Sequence, residues 1–251
     1  MKLQKLLSYT RRAIDSYEMI DNGDKIAVGI SGGKDSLTLL YALAELRRFY
    51  PKKFDLIAIT VNLGFDNFDT TQIEQLCKEL YVPYYIVDTE IYDIVFNIRK
   101  EKNPCSLCAK MRKGALNQKL NDLRCNKIAY AHHKDDFIET FLMSLLFEGR
   151  IHTFSPKTYL DKSKLMVIRP LMYINEGEII SFKNDMQLPV IKSPCPTDGY
   201  TKPEYAKQAL AELEKETPGC KQRIFSAIER GTLDGWPVKI DNPRLYNKDA
   251  R

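Results

Sequence analysis

The junction from Lys25 to Ser36 restricts this chain more than any other stretch. An apolar run of strand length, Lys25-Ile26-Ala27-Val28-Gly29-Ile30, breaks into Ser31-Gly32-Gly33-Lys34-Asp35-Ser36 and then opens a helical pattern. Two glycines let the backbone turn tightly and bring its N–H groups close to a ligand. The helix that follows adds its N-terminal amides and the positive end of its dipole. Ser31 and Ser36 supply hydroxyls, Lys34 a mobile cation and Asp35 a carboxylate. The junction reads as a phosphate-binding turn between strand and helix. It is not a Walker A loop, because Val28 and Asp35 stand where that loop needs glycine and Ser or Thr. An ordinary corner with a solvated lysine is the plain alternative, but it has no need of these hydroxyls and charges around two glycines.

The chain continues as strands alternating with helices. Residues 1–24 read as an N-terminal helix ending near Asn22-Gly23, with Lys2, Lys5, Arg11 and Arg12 on a basic face that is either solvated or set against RNA phosphates. Leu37, Leu40, Leu43 and Ala44 share one face of a helix over 35–50, closed by Pro51. The nearly all-apolar run 56–61 suits a parallel strand covered on both faces. Helices over 71–81, 109–123, 136–147, 176–186, 203–216 and 219–230 and strands over 84–87, 127–131 and 165–168 follow, with 188–191 extended and an irregular tail from Gly231. Cys77, on the stripe of Ile73, Leu76 and Leu80, and Cys125, between a helix and a strand, read as core residues. This alternation predicts a doubly wound parallel sheet with helices on both faces. Ligands of such sheets bind beyond the carboxyl ends of the strands, where Ser31-Gly32-Gly33, Asn62 and His132-His133 fall.

Two further constellations carry chemistry. Ala131-His132-His133-Lys134-Asp135-Asp136-Phe137-Ile138-Glu139-Thr140 packs polar residues at a strand end before an amphipathic helix. Asp135 and Asp136 either cap that helix or hold Mg²⁺. Cys105-Ser106-Leu107-Cys108, introduced by Pro104, lets two thiolates share one metal centre at a helix start, and Cys195 is held between Pro194 and Pro196. Three cysteines without an obvious fourth fit a cluster with one open iron. Zinc, with Cys220 or a histidine as fourth ligand, and redox use stay open.

The Ser-Gly-Gly-Lys-Asp-Ser string resembles the signature of PP-loop ATP pyrophosphatases, which cleave ATP between the α and β phosphates. Its order with Cys105-Ser106-Leu107-Cys108, His132-His133-Lys134-Asp135-Asp136, Ile168-Arg169-Pro170-Leu171 and Cys195 resembles the TtcA family, the tRNA 2-thiocytidine synthetases. Ala131 stands where related enzymes carry glycine. The resemblance implies that Ser31, Gly32, Gly33, Lys34, Asp35, Ser36, Asn62, Ala131, His132, Asp135 and Asp136 hold ATP and Mg²⁺. It makes Lys34, Asp35 and Asp136 catalytic and gives Cys105, Cys108 and Cys195 a 4Fe–4S cluster. The implied reaction adenylates the C2 oxygen of a cytidine in tRNA and then replaces AMP with sulfur carried on the cluster. A cysteine desulfurase system is the expected sulfur donor, and a homodimer is open. The rivals are a PP-loop thiolase or amidating enzyme acting on another substrate, and a nucleotide- or RNA-binding module without turnover. Residues 25–195 are expected to form the PP-loop domain, with 1–24 as the N-terminal helix and 196–251 as helices and tail packed on the same domain.

Composition sets outer bounds. With 44% hydrophobic and 28% charged residues this is the make-up of a soluble globular protein, and no apolar run reaches the roughly 18 residues of a membrane span. Arg11 and Arg12 interrupt the start too early for a signal peptide, which points to the cytoplasm and to reduced thiols among the six cysteines. The net charge of +5 is compatible with a polyanionic partner without requiring one. Lys110, Arg112, Lys113, Arg150, Lys157 and Arg169 are candidate RNA-phosphate contacts, each also readable as a solvated charge.

Overall fold

The computed structural model describes residues 1–65, 68–100, 104–191, 195, 202–231, 233 and 236. Its strands are β1 (Asp24–Gly29), β2 (Phe54–Asn62), β3 (Tyr84–Asp88), β4 (Lys127–Ala129), β5 (Lys157–Leu160) and β6 (Leu165–Ile168). Its helices are α1 (Leu3–Ser16), α2 (Lys34–Arg47), α3 (Thr71–Glu79), α4 (Pro104–Asp122), α5 (Lys134–Glu148), α6 (Glu176–Asp185), α7 (Lys202–Glu216) and α8 (Cys220–Arg230). One sheet runs β3-β2-β1-β4-β6-β5. All its pairings are parallel except β5 on β6, where Lys157 lies opposite Ile168. Chain order therefore reverses at β1, between β2 and β4, and a ligand crevice opens at such a point.

Period-two alternation explains why both faces of this sheet are covered. Ile26 and Val28 of β1, Leu56 and Ala58 of β2, Ala129 of β4 and Ile168 of β6 point into one core, shared with Leu6, Leu40, Phe137, Phe182 and Phe225 from the helices. Ala27, Ile57, Ile59, Ile128, Leu165 and Val167 point to the other face, under Leu116 and Leu120 of α4. The doubly wound architecture holds, with an antiparallel edge strand that the sequence reading lacks.

Several boundaries differ from expectation. The N-terminal helix expected over 1–24 stops at Ser16. Glu18 takes φ 46°, and the chain then buries Met19 and Ile20 before entering β1. Buried Lys127 ties that turn down, donating to the Met19 carbonyl at 3.1 Å and pairing with Asp21 at 2.8 Å and Asp24 at 2.7 Å. The expected basic face is largely spent on the protein. Lys5 pairs with Glu178 at 2.6 Å, Arg11 with Asp15 at 3.3 Å, and the Arg12 guanidinium lies 4.3 Å from the Tyr173 ring centroid. A π-helical stretch over Asp93–Ile98 and strand β5 were not expected. In the tail, Trp236 packs edge-on against Tyr17 and Phe137 at 6.2 and 6.1 Å. Residues 196–201 and most of 232–251 lie outside the described residues.

Candidate active site

A cavity of about 860 Å³ opens at the carboxyl ends of β1, β2 and β4. Ser31, Gly33, Asp35 and Ser36 line it from the turn after β1, and Ala131, His132 and Asp136 from the turn after β4. Cys105 and Cys108 of α4 form another part of the wall with Arg112 and Lys113, and Cys195 completes it. Phe65, Phe68 and Phe96 also line the cavity, a wall that no periodicity in the sequence singles out.

The turn after β1 is built as its residues predict. Gly32 takes φ +82°, a conformation that disfavours any side chain, and its carbonyl accepts the Ile191 N–H at 2.9 Å. The Ser31 amide donates to Ser36 Oγ at 3.2 Å and Ser36 Oγ donates to the Gly33 carbonyl at 3.0 Å, which closes the loop onto the first turn of α2. Lys34 reaches two carboxylates, Asp35 at 3.1 Å and Glu176 of α6 at 3.2 Å. Burial alone would lower its pKa, but these two charges raise it. Glu176 also pairs with Lys207 of α7 at 2.8 Å. Its carboxyl, which burial pushes up, is held down at about 2 by Lys207 and Lys34. Neither Glu176 nor Lys207 was singled out from the sequence; the Asn175–Glu178 capping box announces only a helix start there.

The carboxylates divide into two kinds. Asp35 Oδ1 is buried without a hydrogen-bond partner, with His133 Nε2 3.7 Å away. Asp136 Oδ2 accepts the His133 amide at 2.7 Å. Burial raises the Asp136 pKa, and the charge on Asp35 raises it further against His133 and Lys34. Two carboxyls that repel each other at a cavity wall, one with an unpartnered oxygen, fit a divalent cation with oxygen ligands. Asp135 is spent elsewhere: it accepts the Glu176 amide at 2.8 Å and pairs with Lys221 of α8 at 3.0 Å. Asn62 is also placed away from the cavity wall. It bridges the ends of β2 and β3, donating to Asp88 at 3.0 Å and accepting the Gly64 amide at 3.1 Å. Ala131 lies outside the positive-φ region, so its methyl group meets no backbone strain there.

Cys105, Cys108 and Cys195 face one cavity. Burial raises the Cys108 pKa, Arg112 opposes this, and Cys195 and Cys105 add to it. Among the described residues, however, no three Cys, His, Asp or Glu groups stand close enough to share a single ion. Zinc draws its thiolates onto one atom at about 2.3 Å. A cubane cluster would instead spread three thiolates over three irons. Cys77 and Cys125 are buried as expected, and burial pushes Cys77 up to about 12. Cys220 opens α8 and does not line the cavity.

Of the basic candidates, Arg112 and Lys113 line the cavity. Lys157 instead donates to the Glu18 carbonyl at 2.8 Å. Arg169 is half-buried against His132, donating from Nε to His132 Nδ1 at 3.1 Å. Burial and the Arg169 charge together lower the His132 pKa to about 3.

Comparison with known proteins places the chain in a family. The PP-loop domain model ATP_bind_3 matches residues 5–198. The chain is 37% identical over 234 residues to the tRNA-cytidine(32) 2-sulfurtransferase of Geobacter sulfurreducens, covering 91% of this chain and 90% of that protein. It is 34% identical over 252 residues to the protein of the same name from Pseudomonas fluorescens, covering 96% and 92%. Among solved structures it is similar to the U34-tRNA thiolase NcsA from Methanococcus maripaludis with its 4Fe–4S cluster. There the TM-score is 0.70 and the identity 28%, over 91% of this chain and 79% of that one.

Proposed function

This chain belongs to the PP-loop ATP_bind_3 family and, within it, to the tRNA-cytidine 2-sulfurtransferases of the TtcA type, and from that premise we propose that it thiolates a cytidine of tRNA using ATP. It is an ATP-dependent sulfurtransferase. One observation carries the reading: the phosphate-binding turn and all three candidate cluster cysteines line the same cavity. A base can there be activated and thiolated without leaving the site. The relatives' name supports position 32 as the target.

In this reading the turn from Ser31 to Ser36 and the first amides of α2 hold the phosphates of ATP. Lys34, released from Glu176, pairs with their oxygens, and Asp35 and Asp136 would hold Mg²⁺, which would neutralise phosphate charge. The C2 oxygen of the cytidine attacks the α-phosphorus and pyrophosphate leaves. The oxygen, now bonded to AMP, has become a good leaving group, and sulfur takes its place. Positioning and charge neutralisation are the protein's share. Bound to Cys105, Cys108 and Cys195, a 4Fe–4S cluster would supply the sulfur chemistry. Arg112 and Lys113 face the tRNA side of the same cavity and offset its phosphate charge. Ser31–Ser36, Ala131 and His132 surround the nucleotide, whereas Asp135 and Asn62 act behind it as structural ties. Residues 25–195 carry the activity, with the described parts of 1–24 and of 202–236 packed on the same domain. Among the described residues no helix is long and apolar enough to cross a membrane. The reading is completed by the cytoplasm and a cysteine desulfurase system as sulfur donor, with a homodimer left open.

The test is tRNA-dependent release of pyrophosphate by anaerobically purified protein, with mass spectrometry of the nucleosides. We expect 2-thiocytidine; a different thiolated base would favour a thiolase of another specificity, and no pyrophosphate above background would overturn the reading. Cys195→Ala should lose both thiolation and iron–sulfur absorbance while still binding ATP. Full absorbance in that variant would remove Cys195 from the ligand set.

A further inference from the structure

Arg169, readable from the sequence as an RNA-phosphate contact or a solvated charge, is half-buried and bonded to the protein. Its Nη1 donates to the Ser155 carbonyl at 2.6 Å and to Thr158 Oγ1 at 3.4 Å, and its guanidinium carbon lies 5.1 Å from the Phe154 ring centroid. Burial pulls its pKa down to about 10, which leaves it protonated. No carboxylate among the described residues forms an ion pair with it. A partly buried cation without a counter-charge is costly, so its place calls for a purpose beyond packing.

That purpose is visible in the remaining contact. Arg169 Nε–H donates to His132 Nδ1 at 3.1 Å. The His132 ring is stacked on Phe154 at 4.2 Å and 27°, with Tyr130 edge-on at 6.0 Å. Its orientation is therefore fixed on both sides. A neutral imidazole has one N–H and one acceptor nitrogen; with Nδ1 accepting from Arg169, the proton sits on Nε2. His132 lines the cavity that also holds Ser31, Gly33 and Cys195.

We propose that Arg169 is a positioning residue that locks His132 as the Nε2–H tautomer, so that His132 presents a hydrogen-bond donor to an oxygen of the α-phosphate. This rests on the adenylation described above. As the C2 oxygen attacks, charge builds on the α-phosphate oxygens, and a donor oriented in advance stabilises it without reorganisation. The guanidinium behind Nδ1 polarises the ring and strengthens the Nε2–H as a donor. His132 keeps its proton throughout and transfers none.

The test reads the tautomer directly. The chain has three histidines, so ¹⁵N-histidine labelling with long-range ¹H–¹⁵N correlation resolves His132, assigned by its loss in His132→Gln. We expect the wild-type ring to be neutral with its proton on Nε2. Arg169→Met keeps a long side chain on Phe154 but removes the donor. In it both tautomers should be populated, and kcat for tRNA-dependent pyrophosphate release should fall about 10²-fold with KM for ATP little changed. His132→Gln, which keeps an N–H donor, should retain more activity than His132→Ala. A wild-type ring protonated on Nδ1 overturns the proposal, as does an Arg169→Met enzyme with undiminished kcat. The wild-type tautomer needs neither turnover nor a variant. It therefore judges the pairing even if Arg169→Met fails to fold or the wild type releases no pyrophosphate, the latter counting against the adenylation itself.

Discussion

His132 carries a signature in stability as well as in catalysis. Its pKa is about 3 in the folded chain against an ordinary 6.5, chiefly because burial disfavours the charged ring. Between those values the unfolded chain binds a proton that the folded chain does not. The stability associated with the neutral ring is therefore complete above pH 6.5 and declines as pH falls toward 3, by up to about 1.4 kcal/mol per pH unit. Urea midpoints measured from pH 7.5 down to pH 5 should show this decline, and His132→Gln should flatten it. An equally steep decline in the variant would show that other groups cause it. The sequence places His132 at a strand end within a polar string, so its membership of the site was legible. Its tautomer was not, because that depends on Arg169, a residue of a different strand end whose charge alone reads as a surface cation.

The turn after β1 and the segment leading to Cys195 meet at one contact. Gly32 donates nothing through a side chain, yet an added Cβ would stand 3.2 Å from Ile191 Cβ, and φ +82° would strain it as well. Left-handed backbone costs a residue with a side chain about 1–2 kcal/mol. Gly32→Ala should accordingly weaken ATP binding and, by pushing Ile191, also lower the iron content of anaerobically purified protein. Gly33, at φ −79°, offers a control: its added Cβ would meet only Ser31 Oγ, at 3.3 Å, so Gly33→Ala should spare the iron. Iron content unchanged in Gly32→Ala would mean that the two elements touch without coupling. At this scale the sequence is legible where apolar residues are periodic and silent elsewhere. α4 begins at Pro104 rather than near 109, because its first turns carry the cysteine pair instead of an apolar stripe. β5 leaves no mark in the sequence pattern because it is four residues long and pairs along one edge only. The N-terminal helix reads as longer than it is because Met19 and Ile20 continue its apolar character after the backbone has already turned at Glu18.

The C-terminal helices are tied to the rest of the molecule by both charge and packing. Lys207 of α7 and Lys221 of α8 reach Glu176 and Asp135, which stand behind Lys34 and the turn after β4. These pairs join residues far apart in the chain, so no local pattern could announce them; the alternation of strands and helices, by contrast, was enough to give the sheet and its ligand crevice. Packing points the same way. Phe225 of α8 is 1% exposed and sits edge-on to Phe137 of α5 at 6.3 Å and to Tyr173 at 6.0 Å, within the core that reaches β1 and β2. If α7 and α8 share that core, Phe225→Ala should destabilise the whole chain by about 3–5 kcal/mol. At roughly 2–4 °C per kcal/mol for a chain of this size, the melting temperature should fall by about 10 °C, in a single transition seen alike by calorimetry and by far-ultraviolet circular dichroism. ATP would then raise the melting temperature of the variant and the wild type together, since the phosphate-binding turn unfolds with the same unit. An early transition confined to a small part of the helical signal, with the main one unmoved, would instead make the C-terminal helices a separate unit resting on the sheet.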